Sequence, residues 1–273
     1  MRANSFLYRT ATMIVVFSAL PGVTHAGITG FGDFSNFTIN KSPLDSGPSP
    51  NIFPNKIELT DSAGSETRSI FYNVPQDIST FSASFTYQAT GGAAASAEGA
   101  TFCLQKTSQG AHAVDISLSG FGFNGLVPSD FPNRSAGLSL ELSSPSGTSL
   151  YTQGSVTLGG ANHTAAVNLL SGDPINVSLT YNGTILHETL TDAVTNAQSS
   201  FSYLINLPQL MGGSTAYVGF TAQTPAAIFG FVPEQQYFSD LQFNAVPEPS
   251  TIGLAAAGLA AIGFLGLRRR MGR

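Results

Sequence analysis

Few side chains in this 273-residue sequence have the types and spacing that catalysis or metal binding requires. His112, His163 and His187 share no ligand spacing such as His-x-x-x-His, so we interpret them as surface residues. Cys103 is the only cysteine and lies in an apolar stretch, which predicts a buried, inert thiol. One cysteine also excludes an internal disulfide framework and a cysteine-cluster zinc site. The sequence has no Gly-x-Ser-x-Gly elbow, His-Glu-x-x-His motif or phosphate-binding loop.

The charge distribution separates the ends of the chain from its middle. The chain has 11 Lys and Arg residues against 16 Asp and Glu residues, a net charge of −5. Residues 27–249 contain all 16 acids but only five bases, which gives them −11. Nucleic acid is excluded as a partner, because phosphate binding needs a basic face. The six remaining bases lie near the termini, at Arg2, Arg9, Arg268, Arg269, Arg270 and Arg273.

Residues 1–26 are predicted to be a secretory signal peptide. Arg2 and Arg9 form a basic start, and the apolar run Ala11–Leu20 is too short to span a bilayer. Small residues before the boundary predict cleavage between Ala26 and Gly27. The alternative is an uncleaved membrane anchor.

The C-terminal segment, residues 246–273, has the pattern of a membrane anchor. Val246, Pro247, Glu248 and Pro249 precede an apolar run, Ile252–Leu267, and the cluster Arg268, Arg269 and Arg270 follows it. Sixteen residues form a helix of about 24 Å, just short of a relaxed bilayer span. The arginines would stay in the cytoplasm.

This order of Pro-Glu-Pro, apolar helix and arginine cluster resembles the PEP-CTERM sorting tail. The resemblance implies a Gram-negative-type bacterium and an exosortase-type membrane protease that removes the helix. It also implies a location that is membrane-anchored before processing and then at the cell surface, in association with exopolysaccharide.

Residues 27–245 are predicted to form one all-β domain, an antiparallel jelly-roll or concanavalin-like sandwich. Apolar and polar residues alternate in Phe81–Tyr87, Val114–Leu118, Leu138–Leu142 and Val177–Tyr181, so each segment should have one face for a core and one for water. Asn182-Gly183 then predicts a two-residue type I′ hairpin turn. No segment between the termini has a long helical period.

The same residues resemble the L-type, or legume-lectin-like, β-sandwich family. The segments that carry the resemblance occur in the family's order: Ala97–Gln105, Gly120–Gly125, Leu138–Leu142, Val177–Gly183, Ala216–Ala222 and Phe238–Phe243. The sugar-contacting Asp of the family corresponds to Glu98, which is one methylene longer. The resemblance therefore implies a candidate carbohydrate site at Glu98, Gly99, Gly122, Phe123 and Asn124. In this site Glu98 would accept hydrogen bonds, the loop Gly120–Gly125 would present backbone N–H groups, and Phe121 or Phe123 could stack on a sugar face. The alternative is that Glu98 is a solvated loop acid and that both phenylalanines fill the core.

The family's metal site is degenerate in this sequence. In the family a Ca²⁺/Mn²⁺ pair organises the sugar pocket, and its ligands start with a Glu and an Asp two residues apart. Glu141 stands at the Glu position, but Ser143 replaces the Asp, and residues 144–149 contain no Asp, Asn or His. Because Ca²⁺ takes six to eight oxygen ligands, no calcium or other cofactor is expected.

The sequence favours a non-enzymatic, surface-sorted protein that binds exopolysaccharide or another glycan weakly and without metal. A purely structural surface or matrix protein is the alternative. A glycoside hydrolase is a third possibility, because endo-glucanase jelly rolls share the architecture. Hydrolysis needs a second carboxyl group about 5–9 Å from the first, and Glu141 is the only acid on its strand.

Overall fold

The computed structural model describes residues 27–91, 99–116, 120–123, 134–142, 146–153, 155–156, 162–224 and 233–246. The predicted signal peptide and the apolar segment of the tail lie outside these residues. Within the described part of the chain, no helix is long and apolar enough to cross a membrane.

The described residues contain seventeen strands, a 3-10 turn at Gly110–His112 and one short helix, α1 (Leu207–Met211). The strands are β1 (Ile28–Thr29), β2 (Phe37–Lys41), β3 (Asn51–Phe53), β4 (Lys56–Thr60), β5 (Thr67–Tyr72), β6 (Gln76–Asp77), β7 (Phe81–Thr90), β8 (Gly99–Gln105), β9 (Ser135–Glu141), β10 (Gly147–Thr152), β11 (Ser155–Val156), β12 (Asn162–His163), β13 (Ile175–Tyr181), β14 (Ile185–Asp192), β15 (Gln198–Leu204), β16 (Thr215–Gln223) and β17 (Gln235–Ala245).

These strands form two antiparallel sheets that pack face to face. The eight-stranded sheet has the order β15-β14-β13-β7-β17-β4-β3, with β1 beside β17. The nine-stranded sheet has the order β11-β10-β9-β8-β16-β5-β2, with β12 beside β10 and β6 beside β16. Neighbours in a sheet are often distant in the sequence, as for β7 and β17, so the fold is a jelly-roll-like sandwich. The predicted all-β fold is confirmed.

Aromatic side chains fill the centre between the two sheets. Phe85 and Phe238 come from the eight-stranded sheet, and Phe102 and Phe220 from the nine-stranded sheet. The rings of Phe220 and Phe238 stack with centroids 4.2 Å apart, and Phe85 meets Phe220 edge to face at 4.9 Å. Such pairs contribute about 0.5–1.5 kcal/mol each beyond their buried area, so they lock the two sheets together.

The eight-stranded sheet has the alternation that the sequence predicts. In β13, Ile175, Val177, Leu179 and Tyr181 are buried, while the residues between them are exposed. β7 likewise alternates between buried and half-buried residues along its whole length. One face of this sheet therefore packs on the core and the other faces solvent.

The nine-stranded sheet is covered on both faces, which corrects the prediction for Leu138–Leu142. Every residue of β8, β9 and β10 is buried, including Ser139 and Glu141, which were expected to face water. A second apolar cluster lies on the outer side of this sheet and contains Phe71, Cys103, Ala111, Ala113, Phe123 and Tyr151. The loops that contribute Ala111, Ala113 and Phe123 form a third layer over the sheet.

The predicted strand at Val114–Leu118 is wrong over its described part. Residues 113–115 form no strand, and residue 116 lies in a bend. The burial is opposite to the prediction, because Asp115 is fully buried and Ile116 is exposed. The chain is held as a covering loop instead: Ser69 Oγ donates to the carbonyl oxygen of Ala113 at 2.6 Å.

The hairpin at Asn182-Gly183 is confirmed, but its turn is not type I′. The pairing between β13 and β14 extends as far as Tyr181 and Leu186, next to the turn. A type I′ turn needs positive φ at both central residues, whereas in this turn only Gly183 has it, at 96°. The Asn182 side chain contributes instead, since its Oδ1 accepts from the backbone N–H groups of Thr184 and Ile185 at 3.0 and 2.8 Å.

Candidate functional site

Strand pairing brings several of the predicted site residues to one end of the nine-stranded sheet. Gly99 pairs with Glu141 on one side and with Gln223 on the other. Gly122 reaches the same place, because its backbone N–H donates to Gln223 Oε1 at 3.1 Å. Glu98 directly precedes Gly99. Glu98, Asn124 and Ser143 lie outside the described residues, so their roles stay predictions.

Two glycines at this end are required by their surroundings. Gly99 has φ of 136°, and a Cβ atom there would lie 2.1 Å from the carbonyl oxygen of Leu140. Gly122 has φ of 72°, and a Cβ atom there would lie 3.0 Å from the carbonyl oxygen of Ala222. A side chain would be strained at either position because of the positive φ, and at Gly99 it would also collide with the Leu140 backbone. Both glycines therefore let the loop segment 120–123 approach the sheet closely.

Phe123 is placed in the second apolar cluster and not on the surface. Its side chain has no exposed area, and its ring meets Tyr151 edge to face at 6.1 Å. The space for this ring exists because residue 137 is glycine: a Cβ atom there would lie 3.0 Å from the Phe123 ring. In this conformation Phe123 cannot stack on a sugar. Phe121, which is only half-buried, is the ring of this segment that keeps accessible surface.

Glu141 is nearly buried and is held by a neighbour on its own strand. Ser139 Oγ donates to Glu141 Oε1 at 2.8 Å. Burial first, and the charge of Glu141 second, raise the pKa of Tyr151 to about 12, so this phenol stays protonated. Among the described residues, the oxygen atoms near Glu141 do not form a site for a hard cation, which needs several converging oxygens. Nowhere in the described residues do three or more His, Cys, Asp or Glu side chains converge as metal ligands.

A second buried carboxyl group, that of Glu188, lies on the inner side of the nine-stranded sheet, whereas Glu141 lies on its outer side. Glu188 in β14 accepts a hydrogen bond from Thr148 Oγ1 at 2.5 Å, between the two sheets. Thr148 pairs with Leu140, whereas Glu141 pairs with Gly147, and successive residues of a strand point to opposite faces. Glu141 and Glu188 therefore do not face one cleft, as the acid and base of a hydrolase must.

A covered polar row crosses the outer side of the nine-stranded sheet and was not predicted from the sequence. Its members pair laterally across six strands: Ser149, Ser139, Thr101, Thr221, Ser69 and Asn40. The row anchors the covering loops, since Thr221 Oγ1 donates to the carbonyl oxygen of Phe121 at 2.8 Å and Asn40 Nδ2 donates to that of Ala111 at 2.9 Å. The only sign of this row in the sequence is that Ser and Thr alternate with apolar residues along the strands. The same alternation is expected for a face that is exposed to solvent.

The remaining reactive residues lie apart from this end of the sheet or are inert. Cys103 is fully buried, and burial raises the pKa of its thiol, which agrees with the predicted inert thiol. His112 and His187 are exposed, as predicted, and the side chain of His163 lies outside the described residues.

The first residue after the predicted signal cleavage, Gly27, and the first residue of the sorting tail, Val246, both lie on the sandwich. A Cβ atom on Gly27 would lie 2.6 Å from the carbonyl oxygen of Phe243, so Gly27 packs closely on β17. The backbone N–H of Val246 donates to the carbonyl oxygen of Thr80 at 2.9 Å. Ala26, Pro247, Glu248, Pro249, Arg268, Arg269 and Arg270 lie outside the described residues.

Comparison with known protein families confirms the sorting tail. Residues 245–270 match the PEP-CTERM protein-sorting motif. This motif implies export and a C-terminal tail that is membrane-anchored before processing by an exosortase. No curated protein sequence matches the chain.

Solved structures that are similar to this chain include legume lectins and a lectin-like protein. Arcelin-5, a lectin-like defense protein from Phaseolus vulgaris, is 15% identical with a TM-score of 0.64, and the match covers 82% of this chain and 99% of that one. A seed lectin from Lotus tetragonolobus is 16% identical with a TM-score of 0.62, over 82% and 100%. Lectin I-B4 from Griffonia simplicifolia, in a metal-free form, is 13% identical with a TM-score of 0.62, over 81% and 99%. At these identities the likeness shows the fold alone.

Proposed function

We propose that this protein is exported, is sorted to the cell surface through its C-terminal tail, and binds carbohydrate there weakly and without a metal ion. The carbohydrate would be an exopolysaccharide or another glycan of the envelope or matrix. The protein is not proposed as an enzyme.

One observation carries the proposal: the sandwich corresponds to nearly the whole length of the lectins it resembles. The matches cover 99–100% of those chains, so the likeness extends over nearly the whole of each lectin and is not limited to one segment. In those proteins the fold serves a lectin or lectin-like role. The PEP-CTERM motif implies export and a membrane-anchored tail before processing, which supports a role at the cell surface.

The loop end of the nine-stranded sheet is the proposed binding site. Glu98 would accept hydrogen bonds from sugar hydroxyls. The half-buried ring of Phe121 lies beside the next residue, Gly99, with its Cδ1 atom 3.3 Å from the Cβ position of that glycine. The proposed site needs no metal, because Gly99 and Gly122 are positioned by strand pairing and by the bond to Gln223.

Glycan-array binding of the full-length chain tests this site. We expect binding to fall at least tenfold in Glu98→Ala and to be partly kept in Glu98→Gln, which retains an acceptor oxygen. Asp33→Ala is the matched control, because it removes an exposed carboxylate from a turn that is far along the chain from Glu98. EDTA should leave the binding unchanged. A wild-type chain that binds no glycan would refute the carbohydrate part of the proposal.

Sorting is tested separately in cells that carry an exosortase. Replacing Pro247, Glu248 and Pro249 by alanine should leave an unprocessed, membrane-bound chain. Processing at the wild-type rate in this variant would contradict the assigned motif.

The purely structural alternative is supported by a specific observation, the third layer over the nine-stranded sheet. If the protein is purely structural, the sandwich acts as a spacer at the cell surface. The outer side of the nine-stranded sheet is then covered by the protein's own loops and binds no ligand. This alternative predicts that no saccharide releases the protein from cells, whereas the proposed function predicts release by the saccharide it binds.

A further inference from the structure

The solvent-exposed face of the eight-stranded sheet has an unusual composition. Five neighbouring strands, β15, β14, β13, β7 and β17, place fifteen side chains there in three lateral rows. The rows, taken in that strand order, are Gln198, Thr191, Asn176, Thr86 and Ser239; Ser200, Thr189, Ser178, Ser84 and Gln242; and Ser202, His187, Thr180, Ser82 and Asn244. We call these fifteen residues the polar lattice.

The polar lattice contains no acidic residue, lysine or arginine, although the domain that carries it is strongly acidic. Fourteen of its fifteen side chains are Ser, Thr, Asn or Gln, and His187 is the exception. Residues 27–249 carry −11 from 16 acids and five bases, so the absence of carboxylates and ammonium groups from these rows contrasts with the rest of the domain. None of the fifteen residues is buried. Chemically, the lattice presents hydroxyl and amide groups, each of which both donates and accepts hydrogen bonds.

Side-chain bonds hold parts of the lattice in place. Thr86 Oγ1 donates to Asn176 Oδ1 at 3.0 Å, across β7 and β13. The hydroxyls of Thr189 and Ser200 are 3.0 Å apart, across β14 and β15. A hydroxyl has one donor and two acceptor positions, so these bonds use only part of its capacity. The side chains are thereby ordered before a ligand arrives, which lowers the entropy cost of binding.

A shallow depression of about 410 Å³ lies within the lattice. Ser84, Thr86, Asn176, Ser178 and Asp240 line it. This volume is in the range of small-molecule sites. The depression is a place where a ring could be seated against an otherwise flat sheet.

Asp240 reaches the exposed face because of a bulge in β17. The pairing of β17 with β7 shifts between Ser239 and Gln242, and Asp240 has a positive φ of 57°. Its two carboxylate oxygens accept from Asn55 Nδ2 at 2.8 Å and from Ser239 Oγ at 2.7 Å. Each oxygen can accept a further bond, and a carboxylate forms stronger hydrogen bonds with hydroxyls than a neutral group does.

We propose that the polar lattice is a second binding surface, which takes a neutral polysaccharide chain with one sugar seated in the depression beside Asp240. A neutral polyhydroxylated polymer matches an uncharged array of hydroxyls and amides. The lattice is also large enough for several sugars, since five strands at about 4.8 Å spacing span about 19 Å. An anionic polymer is disfavoured because the domain is acidic. This inference rests on the proposed carbohydrate function and adds a site distinct from the loop end.

Native affinity electrophoresis of the full-length chain in a polyoxyethylene detergent tests the lattice. The gels contain dextran, galactomannan or mixed-linkage β-glucan as neutral probes and alginate as an anionic probe. Ser178→Arg blocks the lattice with a long side chain, and Thr195→Arg adds the same side chain to the exposed β14–β15 turn as the control. We expect a neutral probe to retard the wild type and Thr195→Arg, with the apparent Kd at least tenfold weaker in Ser178→Arg. Asp240→Asn should weaken binding by a smaller factor.

The outcomes separate this inference from the proposed function. Binding that is lost in Glu98→Ala and kept in Ser178→Arg would overturn the lattice site and leave the loop-end site standing. Binding lost in Ser178→Arg and kept in Glu98→Ala would support the lattice. A wild-type chain that no probe retards would overturn the carbohydrate function itself. Self-association that Ser178→Arg abolishes, with unchanged retardation by the neutral probes, would identify the lattice as an interface between copies of the chain and overturn its assignment to polysaccharide.

Discussion

Glu188 should make the stability of the sandwich depend on pH. This carboxyl group is fully buried between the sheets, where Thr148 donates a hydrogen bond to it. Burial raises its pKa from 4.5 to about 7, against the opposing effect of the hydrogen bonds from Thr148 and Tyr203. The ionised form is disfavoured because few surrounding groups can replace the water that it loses.

The direction of the effect follows from where the proton is bound. Between pH 4.5 and 7 the folded chain keeps the Glu188 proton, while the unfolded chain releases it. The stabilisation is therefore fully present below about pH 4.5 and is lost as the pH rises through 7. With these two pKa values, linkage gives a loss of about 2–3 kcal/mol in the free energy of unfolding between pH 5 and pH 8.

Glu188→Gln should remove this loss. Glutamine has nearly the same shape, keeps an oxygen that accepts from Thr148, and does not titrate. At pH 8 the variant should be more stable than the wild type by about 2–3 kcal/mol, a rise in melting temperature of roughly 5–10 °C for a domain of this size. At pH 5 the two proteins should agree within about 1 kcal/mol.

Urea unfolding of residues 27–246 at pH 5, 6, 7 and 8 measures the difference. Burial also raises the pKa of Glu66 to about 8 and that of Glu234 to about 7, but both groups are common to the two proteins and cancel in the comparison. Asp33→Asn is the control, because hydrogen bonds from Ser35 lower the Asp33 pKa further below this pH window. If the stability curves of Glu188→Gln and the wild type run parallel from pH 5 to pH 8, the reasoning about the Glu188 proton is wrong.

Three further predictions concern the covered face of the nine-stranded sheet and the degenerate metal site. Phe123→Ala should lower the free energy of unfolding by about 3–5 kcal/mol. Phe121→Ala should lower it by less, because Phe121 is only half-buried. Equal losses for the two variants in urea unfolding would contradict this placement of the two rings. Gly137→Ala should cost about 1–3 kcal/mol, since its Cβ atom would lie 2.3 Å from Thr101 Cγ2, and an unchanged melting temperature would argue against this packing. Millimolar Ca²⁺ or EDTA should leave the melting temperature unchanged, whereas a rise of several degrees with Ca²⁺ would reveal ligands beyond Glu141.

The strands that face water on one side were predictable from the sequence. In β7 and β13 the apolar residues alternate with Ser, Thr and Asn, and the structure buries only the apolar set. The alternation has a period of two because successive side chains of a strand point to opposite faces. The sorting tail was predictable for a similar reason, because its Pro-Glu-Pro motif, apolar run and arginine cluster lie close together in the sequence.

The candidate site was predictable only in part. The lectin-like segments identify Gly99, Gly122 and Glu141 as residues of the site. In the structure these residues lie at one end of the nine-stranded sheet: Gly99 and Glu141 through strand pairing, and Gly122 through its hydrogen bond to Gln223. Phe121 and Phe123 could not be told apart, since both are aromatic residues in a glycine-rich loop. Their difference depends on Gly137, which leaves the space that the Phe123 ring fills.

The sequence by itself determined the fold class, the faces of the eight-stranded sheet and the sorting tail, because each depends on residues that are close in the chain. Only the tertiary structure decided that the nine-stranded sheet is covered on both faces. Ser139 alternates with leucines as a solvated residue would, yet it is buried beneath a third layer. That layer is bound by contacts between distant residues, such as Thr221 with Phe121, and a period of two within one strand carries no information about them.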